Sequence, residues 1–340
     1  MTPSTCPSAS EECRRALESH ERKSFAPLLV SVYTRLQYLR QCIDSLLANR
    51  ESIDTDLYVV SDAANSAADS EKVRLVREFV SRIDGFRSVT LMARERNLGS
   101  FESVTSAIDS VLAKHGRVIF LEDDNVVSRN FLRFLNDCLD FYKDDPSIFA
   151  VCGYNYPVRM PKLYHFDVYK WQGFSAWGVG LWREKWMKIS WGYEGLEEIL
   201  ADKSKVRTIN SVAGHYLPRF VRRRDLGEQI GDSIISYNIL LRNQYSIFPV
   251  VSKVRNIGHD GTGEHCGFSD IYVKQALDTG GDYTLVKGIG TDERVNRVLR
   301  KHFRIARMTK FKRALSRVLP ARAMSALRRL RKQILMNHQE

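Results

Sequence analysis

The sequence predicts an α/β fold: a mostly parallel sheet with helices on both faces. Two observations carry this. Short runs of branched apolar residues alternate with segments whose apolar residues recur at helical spacing, and polar turns separate one from the next through residue 150.

The elements follow in order. "LLVSVY" (Leu28 to Tyr33) predicts a strand, and Leu36, Leu39, Ile43, Leu46 and Leu47 then mark one face of a helix. "DLYVVSD" and "SVTLMAR" read as strands around the helix "SEKVRLVREFVSRI". "SFESVTSAIDSVLAKH" reads as a helix leading into the strand "RVIFLEDD". The next helix, "SRNFLRFLNDCLDFYKDD", carries Phe131, Phe134, Leu135, Cys138 and Tyr142 on one face, with Ser128 or Asn130 as its expected cap. From Ile148 the chain becomes less periodic and rich in Gly and aromatics, as in "YKWQGFSAWGVGLWREKW". "RNIGHDGTGEHCGF" is too rich in Gly and polar residues for an element interior and reads as a loop. The expected organisation is a flexible leader (1–24), a ligand-binding α/β half (25–150), a second half of the same domain (151–290) and a basic amphipathic helical tail (291–340).

Composition sets limits on function. The chain has 340 residues, 44% of them apolar, enough for a sizeable core. No apolar run is long enough to span a membrane, and the first residues have neither a basic region nor an apolar core of the secretory kind, so the expected location is cytoplasmic. The six cysteines include no C-x-x-C pair, which argues against a zinc site or a disulfide framework. The net charge of +12 belongs to one region: from Arg294 onward only Glu340 is acidic, while Lys and Arg recur throughout. No nucleic-acid motif accompanies this charge. The tail therefore reads as a binder of anionic membrane surface, which would make the protein peripheral at the inner face of the cytoplasmic membrane.

Glu122, Asp123 and Asp124 directly end the strand "VIFL". In such sheets ligands bind beyond the carboxyl ends of strands, where Tyr33-Thr34-Arg35 and Ser61-Asp62 also fall, so these groups should face a common crevice. Hard oxygen ligands there suit Mn²⁺ or Mg²⁺ bound together with phosphate oxygens. A solvated acidic turn is the structural alternative. His259 and His265 lie in the Gly-rich loop and are candidates to complete a metal shell or contact a diphosphate. Arg219, Arg222, Arg223 and Arg224 are able to reach phosphates, or else form a solvated face. Asp232, ahead of an apolar helical stretch, is either a general base or a helix N-cap, with Glu228 as rival base.

Taken in order, "LLVSVYTRLQYLRQCIDSLL", "YVVSDAAN", "ARERNLGSFESV", "VIFLEDDNVVSRNFLRFLNDCL", "GFSAWGVGLWREKW" and "GDSIISYNILLRNQYSIFPVVSKVRNIGHDGTGEH" resemble a bacterial GT-A fold glycosyltransferase of the family 2 type. The Glu-Asp-Asp is also similar to the acidic motif of N-acetylglucosaminyltransferase I. The resemblance covers roughly Pro27 to His265 and implies a Rossmann-like sheet, a nucleoside-diphosphate sugar (a UDP-sugar before others), a divalent cation, and a saccharide or lipid-linked saccharide acceptor. It places Asp124 as direct metal ligand, with Glu122 and His265 as further candidates, and Asp232 as the base of an inverting transfer. Donor contacts fall on Asp62 and Asp123, with Tyr33, Arg35, Arg96, Asn97, Trp177 and Gly178 alongside. The glycines at 178 and 180 would let backbone approach a ligand closely.

The expected activity is thus inverting sugar transfer to an acceptor hydroxyl in cell-surface polysaccharide or glycolipid synthesis. A retaining transferase would differ in the anomeric configuration of its product, and a sugar-phosphate nucleotidyltransferase would release pyrophosphate. A membrane- or nucleic-acid-bound scaffold would have no donor affinity.

Overall fold

The computed structural model describes residues 25–259 and 270–303. The predicted leader, His265 and the part of the basic tail beyond Phe303 lie outside them.

The first half is built from βα units. Strand β1 (Leu28–Val32) leads to helix α1 (Leu36–Leu47), β2 (Asp56–Ser61) to α2 (Ala67–Val80), and β3 (Ser88–Ala93) to α3 (Gly99–His115). Then come β4 (Arg117–Glu122), the short β5 (Asn125–Val127) and α4 (Phe131–Phe141). Strands β6 (Ile148–Cys152), β7 (Val168–Trp171) and β8 (Val179–Trp182) begin the second half, followed by helices α5 (Arg183–Trp186), α6 (Leu196–Ala201), α7 (Lys203–Val212), α8 (Tyr216–Asp225) and α9 (Gly231–Leu241). Strands β9 (Tyr245–Pro249) and β10 (Val254–Asn256) and helices α10 (Asp270–Val273) and α11 (Glu293–His302) complete the described chain.

One 8-stranded sheet runs in the order β3-β2-β1-β4-β8-β6-β9-β7. The first four strands are parallel to one another, as the βα repeats predict. β4 meets β8 in antiparallel pairing, and the far half of the sheet is mixed. Side chains alternate between the two faces. Leu28, Val30, Leu57, Val59, Ile119 and Leu121 join one core with α1 and α4, whereas Leu29, Val60 and Phe120 join the other with α3 and the aromatic second half. Helix α1 buries Leu39, Cys42, Ile43 and Leu46, a single stripe at helical spacing.

Two local expectations are corrected. "RNIGHDGTGEHCGF" is not loop from its start: Arg255 and Asn256 belong to β10, which pairs antiparallel with β5. The pairing gives the backbone just beyond the acidic triplet its hydrogen-bond partners, a long-range contact that local composition does not reveal. Neither Ser128 nor Asn130 caps α4 with its side chain. The Ser128 hydroxyl donates to Asn130 Oδ1 instead (2.8 Å), and the Leu132 N–H donates to Asn49 Oδ1 (3.0 Å). The buried Asn49 also donates to the carbonyls of Ser45 (3.1 Å) and Ser128 (3.0 Å), joining α1 to α4.

The basic segment expected from residue 291 begins as a docked helix. Val295 and Leu299 of α11 are buried, and the Phe303 ring stacks on Trp171 (5.5 Å between centroids) and His215 (4.4 Å).

Asn49→Ala removes a helix cap and leaves buried backbone groups without partners. It should lower unfolding stability by about 2–3 kcal/mol, measured by denaturant titration.

Candidate active site

The end of β4 carries Glu122, and the turn after it carries Asp123 and Asp124, both buried. The Arg35 guanidinium, just beyond β1, donates to Asp123 Oδ1 (3.1 Å) and is ion-paired with Asp124 Oδ2. The other Asp124 oxygen accepts from the amides of Asn125 and Asn256, each at 2.8 Å. The Asp124 carbonyl accepts the Ile257 N–H (2.8 Å). A Cβ on Gly258 would overlap Asp124 Oδ2, so glycine is required there by close approach.

Burial, reinforced by the charges of Asp124, Asp232 and Asp123, pushes the Glu122 carboxyl up to about 8. Burial likewise raises Asp123 to about 7, against the pull of Arg35. These carboxyls hold back part of their charge near neutral pH, an arrangement that an added cation would reverse.

Beside the triplet lies a cavity of about 520 Å³ whose wall includes Ser31, Glu122, Tyr154, Trp177, Arg219 and Asp232. Asp232 is in the first turn of α9, where Ile230 holds the cap position without a side-chain bond. The cap alternative for Asp232 is therefore not realised. Its carboxylate accepts from Arg219 (2.8 Å), and the Ser236 hydroxyl donates to its carbonyl (2.7 Å). The rival Glu228 is ion-paired with Arg223 and does not line the cavity. The arginine run of α8 thus divides by helical spacing: Arg219 and Arg223 line the cavity, Arg224 pairs with Glu197 and Asp225, and Arg222 is exposed.

The remaining candidates form a polar ledge at the ends of β1, β2 and β3, outside the cavity lining. Asp62 accepts the N–H groups of Ala63 (2.9 Å), Leu98 (3.0 Å) and Gly99 (2.8 Å), capping α3 from a neighbouring strand. Asn97 donates to the Ala63 carbonyl (2.7 Å). The Tyr33 hydroxyl accepts the Asn65 N–H (2.8 Å) and donates to Asp69 (3.2 Å). Arg96 is exposed.

Trp177 packs edge-on against Tyr154 (4.7 Å), His259 (5.4 Å) and Tyr272 (5.4 Å), and His259 lines the cavity. Gly178 has φ +70°, and the space a Cβ would take is filled by Phe131 and Val254, both at 2.7 Å. Val151 at 2.7 Å does the same at Gly180. At both positions internal packing by itself accounts for the glycine.

Asn256, Gly258, Tyr154 and His215 were not foreseen as site residues. Asn256 and Gly258 lie within the Gly-rich stretch, but nothing local marks them as partners of Asp124. Among the described residues no cluster of three or more His, Cys, Asp or Glu is arranged to hold a metal. The acidic triplet alone fits a cation of the Mn²⁺ or Mg²⁺ kind, which takes one or two carboxylates and completes its shell with substrate phosphates and water.

A sequence model of the GNT-I family matches residues 4–193. No curated protein matches the chain. Solved structures similar to it include the mannosyltransferase PcManGT from Pyrobaculum calidifontis in complex with GDP-Man and Mn²⁺. It is 15% identical, with a TM-score of 0.32, covering 51% of this chain and 51% of that one. TarS of S. aureus is 10% identical with a TM-score of 0.39, covering 69% of this chain and 37% of that one. GlyE of Streptococcus pneumoniae TIGR4 is 16% identical with a TM-score of 0.31, covering 65% and 44%. The matched regions span about half or less of these structures' own length.

His215 on the cavity wall is held at about 4, chiefly by burial and then by the nearby charges of Arg219 and His302. Because its folded pKa is depressed, the stability it contributes is complete above about pH 6.5 and is lost as pH falls toward 4. His215→Gln should flatten the pH dependence of unfolding free energy in that window by about 1 kcal/mol per pH unit at its steepest, compared with the unaltered chain by denaturation at several pH values.

Proposed function

The chain belongs to the GNT-I family, and from that premise we propose that it is an inverting glycosyltransferase using a nucleoside-diphosphate sugar. The observation that supports this best is the meeting of Asp232 and Glu122 in one cavity, directly beside the buried Asp123 and Asp124. Sugar transfer to a hydroxyl needs a place where a cation can meet the leaving diphosphate and a carboxylate near the attacking oxygen; the acidic triplet suits the first and Asp232 the second.

In this reading Asp124 holds the cation, with Glu122 and Asp123 adjoining and His265 a further candidate ligand. A bound Mn²⁺ or Mg²⁺ supplies charge neutralisation to the departing diphosphate. Arg35, already facing Asp123 and Asp124, stands beside the same phosphates. The ledge of Tyr33, Asp62, Arg96 and Asn97 receives the nucleoside, with UDP the first choice. Asp232 takes the proton of the acceptor hydroxyl as the new bond forms, while Arg219 holds its carboxylate toward the cavity. Trp177 and its neighbouring rings offer flat apolar surface to the sugars. Residues 25–150 thereby serve the donor and 151–290 the acceptor. The acceptor is a saccharide or lipid-linked saccharide of cell-surface polysaccharide or glycolipid synthesis, met at the inner membrane face with help from the basic tail. No helix among the described residues is long and apolar enough to cross a membrane.

A panel of nucleotide sugars with Mn²⁺, Mg²⁺ or chelator tests the reading. Asp124→Ala should abolish metal-dependent donor binding. Asp232→Asn should retain donor binding while lowering transfer about a hundred- to ten-thousand-fold. Absence of donor binding under every metal by the folded, unaltered chain, or full transfer by Asp232→Asn, would overturn it.

A further inference from the structure

The folded body carries an amphipathic patch separate from the acidic site. The connection between β6 and β7 leaves the cavity wall at Tyr156 and exposes Leu163 (68%) and Phe166 (49%), with Arg159 and Lys162 also exposed. Phe166 meets the edge of Tyr164 (5.6 Å between centroids) and leaves half its surface to solvent, as Leu163 leaves more. Helix α11 lies against the same loop, for Arg294 Nη1 donates to the Leu163 carbonyl (3.4 Å). Arg294, Arg297 and Lys301 are spaced three and four residues apart and exposed, opposite the buried Val295 and Leu299.

The acids nearby are engaged within the fold. Asp167 accepts the Thr284 N–H (2.8 Å), Asp292 caps α11 and pairs with Arg294, and Glu293 pairs with Arg300. Among the described residues no ion pair is made by Arg159, Lys162, Arg297 or Lys301. The patch thus joins protruding Leu and Phe side chains to four exposed cations, Arg159, Lys162, Arg297 and Lys301, that make no ion pair among the described residues.

We propose that this patch docks on the surface of an anionic lipid bilayer, with Leu163 and Phe166 entering the interface and Arg159, Lys162, Arg297 and Lys301 meeting the headgroups. Apolar insertion and cationic attraction together distinguish a bilayer surface from a purely acidic partner. Helix α11 is about 15 Å long at 1.5 Å per residue and ends beside Phe303, which lines the cavity wall. Docking here would bring a lipid-borne acceptor to the cavity mouth. This deepens the membrane part of the proposed function but rests on residues other than the tail beyond Phe303.

Co-sedimentation of the full chain with phosphatidylcholine vesicles, with and without phosphatidylglycerol, tests it. The unaltered chain should bind only the phosphatidylglycerol vesicles, and less at high salt. The double variant Leu163→Asp/Phe166→Asp should bind them about tenfold or more weakly, as should Arg297→Glu/Lys301→Glu, with Mn²⁺-dependent donor binding and thermal unfolding unchanged. Undiminished binding by both double variants would overturn the patch while leaving the tail as the binder. No binding by the unaltered chain would overturn both. Neither result bears on the donor chemistry, which the donor panel reads separately.

Discussion

Adjacent carboxylates at the end of a buried strand persist only while their charge is answered. At Asp124 the answer comes from several directions: a guanidinium from beyond β1, amides from Asn125 and Asn256, and a backbone approach that only Gly258 permits. The pairing of β5 with β10 sets Asn256 opposite Asn125 and so presents both amides to Asp124 together. With Asp124 so held, Glu122 is left to burial and to its acidic neighbours, and burial outweighs the pull of Arg35 on Asp123, so both carboxyls are raised. The triplet is therefore a place of concentrated negative potential kept tolerable by Arg35 and the amides around Asp124, the kind of setting that the proposed cation would relieve.

On the proposed reading the second requirement, a carboxylate facing the acceptor, falls to a differently placed acid. Asp232 is not buried among acids but half-exposed on a cavity wall, paired with Arg219 one helix away. Placing it at the first turn of α9 sets it where the helix dipole favours a negative charge. The two sets of acids thus have opposite environments within one cavity, one crowded and desolvated, the other compensated and open. Such separation of environments is how two carboxyl groups come to do different work.

Much of this was legible in the sequence, and the rest was hidden for a common reason. The βα half could be read because its strands are apolar runs and its helices bury one stripe, both local signals. The triplet could be read because adjacent acids after "VIFL" are locally anomalous. What sequence reading missed lay in contacts between distant segments: Asn49 capping α4, Asn256 holding Asp124, and α11 docking through Val295 and Leu299 in a region that charge alone marked as tail. The glycines of the aromatic band stand out in the sequence as positions for close backbone approach. Their reason proved to be the closeness of Phe131, Val254, Val151 and Leu139, which no local pattern announces.

The bond between Asn256 and Asp124 spans 132 residues. Closing so long a loop costs entropy before any contact returns it, and contacts of this range form late when a chain folds. On a ribosome the acids at the end of β4 would emerge well before their distant amide partner. The parallel half of the sheet can assemble in that interval, but its most charged edge stays incomplete until residue 258 is available. The acidic edge is thus completed by a segment made much later than the acids themselves, and its stability is tied to closure of that long loop.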